Sequence, residues 1–175
     1  MDETSVSETP YLVRPWARRG RTPVVEHQFN WKRLSALVAV THTGQVLRET
    51  IAGAHTRETF LAALQRMLEQ VDGRVALLLD GAPIHRARVV TQWLESPEAR
   101  GRIERHWLPA YAPDLNPMEL GNSAAKRGLL GNFAAQGLDK LSERLHLAFD
   151  FSPETVTGFF RVALGTDFSK CPEVA

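Results

Sequence analysis

Two carboxylates stand where the local pattern of the chain could aim them at one point. Asp80 closes the apolar run RVALLLD (74–80), and in open α/β sheets binding sites form outside the carboxyl ends of the strands. An Asp-Gly pair also serves as a simple turn in which the carboxylate bonds nearby amides. Glu119 ends the elbow HWLPAYAPDLNPMEL (106–120). There Asn116 can cap a helix with Pro117 in its first position, which puts Glu119 third, facing the exposed amides and the positive helix end. That capping role would account for Glu119 by itself, with Asp114 and Asn116 as turn and cap residues. If the two acids converge, they suit a hard cation. Mg2+ takes carboxylate, water and phosphate oxygens, and paired ions about 3.5–4 Å apart activate a water while stabilising a leaving oxygen.

Other polar residues are less defined. Asp2 lies at the extreme terminus, where a carboxylate is ordinarily part of a frayed end. His85, five residues beyond Asp80, could donate to a phosphate or a carboxylate, or cap the following helix. Lys126 follows Glu119 by seven residues and shares its helical face, as a DNA contact or a solvated lysine. His106 reads as a packing residue beside Trp107. Residues 14–33 hold Arg14, Arg18, Arg19, Arg21, Lys32 and Arg33 against Glu26, a basic stretch that could meet phosphates or lie in solvent. The single cysteine, Cys171, is read as a tail thiol, and no Cys/His spacing suggests zinc.

These residues need a frame to hold them. The 175 residues, 43% apolar and 23% charged, fit one domain with a buried core. Neither a membrane-length apolar run nor a basic-then-apolar leader is present, so a cytoplasmic protein is expected. The first 33 residues show turn formers without periodicity, RPWARRGRTP reading as an extended loop. RLSALVAV (33–40) and QVLRETIA (45–52) flank THTG as an antiparallel hairpin. Thr56 caps a helix to about Glu69, with Phe60, Leu64, Met67, Leu68 and Val71 along one face. Residues 74–80 read as a central strand buried on both faces. A short helix carrying Val89, Val90, Trp93 and Leu94 and a strand over 102–109 come next. Helices are predicted over 117–130 and 138–149, and a last one starts at Ser152-Pro153-Glu154. The order of elements implies an α/β sheet, partly antiparallel, with parallel strands joined through helices.

LLLDGAPIHRARVVTQWL, then RIERHWLPAYAPDLNPMEL and a downstream lysine, resemble the catalytic domain of mariner-type DDE transposases, those of bacterial insertion sequences in particular. MDETSVSETPYLVRPWARRGRTPVV is similar to the stretch of that family which begins with a catalytic Asp-Glu pair and continues to a Trp, a Gly and a Pro. The resemblance spans nearly the whole chain. It implies an RNase H-like fold with a mixed five-stranded sheet, flanking helices and C-terminal helices, as a single catalytic domain over 1–175. It further implies the triad Asp2, Asp80 and Glu119 holding two Mg2+ or Mn2+ ions. Arg18, Arg19, Arg21, His85 and Lys126 would contact DNA. The implied activity is cleavage of transposon ends and strand transfer into target DNA, commonly at TA, with partners that are duplex DNA and further protomers.

The chain also departs from the family pattern. The N-terminal helix-turn-helix region and the front half of the first core strand are expected to be missing. Gly81 replaces the usual Asn, and Asn122 stands where a Trp normally packs, a change expected to cost on the order of 3 kcal/mol if the position is buried. These losses suggest the alternative of an inactive remnant that keeps the fold and weak binding to DNA or to other protomers.

Overall fold

The computed structural model describes residues 1–27 and 30–165, and its architecture follows from one strand with two buried faces. In β2 (Arg33–Val40), Leu37 points one way and Ala36 and Val38 the other, all three fully buried. Alternation of this kind places a strand between two layers. On the Leu37 side it packs, with Leu77 and Leu79 of β4 (Val75–Leu79), under Phe60, Leu64 and Met67 of α1 (Arg57–Leu68) and Val90 and Leu94 of α2 (Arg88–Leu94). On the other side lie Met118 and Ala125 of α4 (Pro117–Arg127), and Leu145 and Ala148 of α5 (Leu138–Ala148).

Strands β1 (Asp2–Ser7), β2 and β3 (Val46–Ala52) form an antiparallel sheet in that order. β4 pairs in parallel with β5 (Ile103–Trp107), Leu79 opposite Trp107, so both strands end at one edge. The five strands are thus hydrogen-bonded as three and two, and the Met1 amine reaches the Leu78 carbonyl at 3.5 Å across the junction between β1 and β4. A short helix, α3 (Pro97–Arg100), leads into β5, and α6 (Pro153–Leu164) lies against α4. That approach is close. A Cβ on Gly121 would come within 2.4 Å of the Met118 methyl and about 3.4–3.5 Å from the Phe151 and Phe159 rings.

Most element boundaries agree with the sequence pattern to within a residue or two. Thr56 caps α1 through a capping box with Thr59, and Ser152 caps α6. Two expectations need correction. The first regular element is not β2 but β1, whose buried positions are polar, Asp2 and Thr4. And β4 is not buried on both faces, since Ala76 is exposed and Val75 and Leu78 are half-buried. Residues 12–32 form no helix or strand where described, as the turn formers predict, and Arg14, Arg18, Arg19 and Arg21 are all exposed there. The tail thiol of Cys171 lies outside the described residues. No helix among the described residues is long and apolar enough to cross a membrane.

Candidate active site

Asp80 leaves the end of β4, and the same strand edge receives the elbow that follows β5. Leu108 continues the ladder by donating to the Leu79 carbonyl at 2.8 Å. The chain then turns at Tyr111, whose φ of 57° is the left-handed region, and passes through a 3-10 turn at Pro113–Leu115. Asn116, buried at 3% exposure, accepts from the Met118 amide at 3.1 Å and starts α4, with Pro117 in its first position. Glu119 therefore sits in the first turn, exposed. Asp114 is exposed within the 3-10 turn and lies outside this cap.

The elbow and Asp80 enclose a cleft of about 400 Å3, lined by Asp80, Gly81, Arg86, Asn116 and Glu119 among others. Asp2, only 8% exposed, is coupled to this cleft by charge rather than by opening into it. Burial first, then the charges of Glu119, Glu3 and Asp80, push its carboxyl up from 3.8 to about 7. Its Oδ1 accepts from the Glu3 amide at 2.9 Å, and its Oδ2 from Asn122 Nδ2 at 2.8 Å.

His85 is fully buried, with its ring tilted against Phe60 at 4.7 Å. Nδ1 lies 2.6 Å from Asp80 Oδ1 and Nε2 2.7 Å from Glu3 Oε1. Desolvation opposes its charge, yet the hydrogen bond to Glu3 and the charges of Glu3 and Asp80 raise its pKa above the ordinary histidine value. Of the three roles open to it in the sequence, the structure takes the carboxylate partner. Both ring nitrogens are thus engaged with carboxylates beneath the surface. Asp80 is further fixed by accepting from the Ala82 amide at 3.0 Å.

Lys126 does not share the cleft. It lines a separate cavity of about 230 Å3 with Ser5, Tyr11 and Phe133, roughly two helical turns along α4 from Glu119. Arg18, Arg19 and Arg21 are exposed on the 12–32 segment and do not line the cleft. His106 is exposed, 3.2 Å from Glu104, rather than packed.

One residue of the site, Arg86, was not singled out in the sequence. The Arg86 guanidinium lies 5.3 Å from the Trp107 ring centroid in the cleft. A Cβ on Gly81 would meet its Nη2 at 2.6 Å, so the glycine leaves the space that the guanidinium fills. The adjacency of Arg86 to His85 was the available signal. Asn122, noted in the sequence where a Trp normally packs, is buried at 3% exposure, and its bond to Asp2 is the part that the sequence did not show.

Three oxygen-donor acids that feel one another's charge fit a hard divalent cation, which would relieve the repulsion that raises Asp2. Among the described residues, the acids are not gathered into a three-ligand cluster. Asp2 and Asp80 instead hold their orientation through protein hydrogen bonds.

The fold thus brings one acid to the end of β4 and a second to the helix behind a proline elbow, with a third on β1 coupled to both by charge. The chain belongs to the DDE superfamily endonucleases, whose family model matches residues 1–142. No curated protein sequence matches it. Among solved structures it is similar to the Mos1 strand transfer complex (TM-score 0.69, 21% identity, covering 97% of this chain and 51% of that one). It is also similar to the mariner Mos1 paired end complex with Mg (0.70, 20%, 97% and 52%) and to the catalytic domain of Mos1 mariner transposase (0.63, 21%, 97% and 78%). The chain thus spans about half the length of the Mos1 chains in the first two. The shared architecture is the RNase H-like DDE fold.

Proposed function

We propose that this chain is the catalytic domain of a mariner-type transposase, cutting duplex DNA and joining the cut end to a target with divalent metal held by Asp2, Asp80 and Glu119. The observation that carries this reading is the coupling of the three acids. Asp80 and Glu119 line one cleft, and their charges, with burial, hold the Asp2 carboxyl near 7. Support comes also from the family match over residues 1–142 and from the likeness to Mos1 complexes described with Mg and with Mn.

Each residue has a task that follows from its position. Asp80 is aimed by His85 and the Ala82 amide, and Glu119 by the prolines and the Asn116 cap. Bound Mg2+ or Mn2+, two ions in the expected arrangement, would supply Lewis acidity and an activated water. Arg86, exposed at the cleft, faces the place where a scissile phosphate would enter, and a planar guanidinium suits phosphate oxygens. Arg18, Arg19 and Arg21 add phosphate contacts further along the duplex. Partners of this reading are duplex DNA, with transposon ends and TA targets, and further protomers, in line with relatives described as paired end and strand transfer complexes. The cytoplasm is the compartment proposed.

The test is nicking of supercoiled plasmid by the purified chain in Mn2+. Conversion to open circle should exceed that of an Asp80→Ala, Glu119→Ala control by at least tenfold. Equal rates would refute the reading, and salt-sensitive DNA binding without nicking would favour the inactive remnant.

A further inference from the structure

Asn122 has no role in the cleft, yet it is the buried amide that touches a candidate metal ligand. Its Nδ2 donates to Asp2 Oδ2 at 2.8 Å, across 120 residues of sequence, and both side chains are buried. Its Oδ1 is buried without a hydrogen-bond partner among the described residues. The opposite orientation of the amide would set Oδ1 against the carboxylate, acceptor facing acceptor, so the bond to Asp2 fixes which end points where. A buried acceptor left unpaired costs free energy, and an apolar side chain in its place would avoid that cost. The asparagine thus leaves one buried acceptor unpaired, and what it supplies is the donor that holds Asp2.

The geometry around it is specific. Asp2 Oδ1 is already committed to the Glu3 amide at 2.9 Å, so the Asn122 bond is the second anchor and removes rotation of the carboxylate about its own axis. Asn122 also lies three residues beyond Glu119 on α4, and residues three apart share a helical face. One helix thus carries Glu119 and grips Asp2. Gly121, beside it, faces the Phe151 and Phe159 rings, with the Met118 methyl in the space that a Cβ would take.

We infer that Asn122 is a positioning residue: it locks the Asp2 carboxylate to the helix bearing Glu119, so that the first and third acids present themselves to a cation as one rigid unit. This deepens the metal-dependent nuclease reading and rests on it. Asn122 supplies no ligand and touches no substrate. It fixes a ligand, and hydrogen-bond partners of metal ligands typically govern affinity by about 10- to 100-fold.

The test uses the whole chain with two readouts. In metal-free protein, the side-chain amide of Asn122 is followed by 15N NMR in the parent and in Asp2→Ala. The bond predicts a displaced, slowly exchanging amide signal that moves to ordinary values in Asp2→Ala, and identical signals would overturn the proposal. In the second readout, Mn2+ affinity is measured by calorimetry for the parent, Asn122→Leu and Asn122→His. Asn122→Leu should bind Mn2+ at least about tenfold more weakly, a loss larger than any fall in metal-free stability from leaving Asp2 Oδ2 without its donor. Asn122→His, which keeps an N–H donor, should recover much of the affinity. Parental Mn2+ affinity in Asn122→Leu would overturn the proposal, as would affinity that falls only in proportion to a lowered melting temperature. A parent that binds no Mn2+, while its Asn122 amide still reports Asp2, would refute the metal reading and leave the Asn122–Asp2 lock standing.

Discussion

Replacing Glu119 by glutamine should stabilise the metal-free protein at high pH relative to low pH while removing its response to metal. The Asp2 carboxyl is held at about 7 against 3.8 in the unfolded chain, burial contributing most and the Glu119 charge next. Three pKa units correspond to about 4 kcal/mol of penalty on the ionised, folded form. Glu119 is the second contributor, and one charge pair near a protein surface is worth on the order of 1 kcal/mol, which sets the size of the expected relief. A carboxyl with a raised folded pKa costs stability only once it ionises in the fold, so the penalty grows as pH rises from about 4 to about 7 and stays in full above. Glu119→Gln also loses the favourable interaction of a charge in the first turn of α4, about 0.5 kcal/mol. The relief of Asp2 appears only where its carboxyl ionises in the fold, at pH 8 rather than at pH 5. The melting temperature of the variant, measured against the parent in EDTA, should therefore rise by about 2–4 °C between pH 5 and pH 8. Addition of Mn2+ at a hundred times its dissociation constant should stabilise the parent by about 2.7 kcal/mol and the variant by far less. A variant-to-parent difference that does not change with pH would refute the coupling of Glu119 to Asp2. An unchanged response to Mn2+ would refute its role as a ligand.

Further outcomes follow from the partners of Asp80 and from the basic segment. His85→Phe should cost about 2 kcal/mol by leaving Glu3 and Asp80 without their charged donor, read by chemical denaturation. Because the histidine pKa is raised by those acids, the cost should be largest below its unfolded value of about 6.5 and shrink as pH rises through the folded value; a gap that widens with pH would contradict the ion pairs. Replacing Arg18, Arg19 and Arg21 together by alanine should weaken plasmid binding and flatten the dependence of log affinity on log salt by up to about 2.7, at about 0.9 per phosphate contact. An unchanged slope, measured by fluorescence anisotropy across salt, would place the DNA path elsewhere.

The amphipathic helices were legible because their signals are local. The Phe60–Leu64–Met67 stripe, the Ser152 cap and the Asn116–Pro117–Glu119 order each state their element within a turn or two. β1 was not, because its buried positions are an aspartate and a threonine, so no apolar alternation marks the strand. The burial of β4 was overread for a related reason. An apolar run reports the composition of a strand, whereas its burial depends on neighbours, and β4 has its ladder to β5 on one side. The site's fine structure was the least legible part. His85 finds Glu3 across 82 residues and Asn122 finds Asp2 across 120, so neither partner is visible in a local window. Asn122 in particular looked like a missing aromatic, and its chemistry emerged only when α4 and β1 were brought together.

The central claim is that Asp2, Asp80 and Glu119 together hold divalent metal. Crystals of this chain soaked in Mn2+ and measured at the manganese absorption edge test it most directly. The account predicts anomalous difference peaks in contact with carboxylate oxygens of all three acids, lost in an Asp80→Ala crystal. Crystals soaked at millimolar Mn2+ that show ordered acids and no peak among them, or a peak that persists in Asp80→Ala, would contradict it.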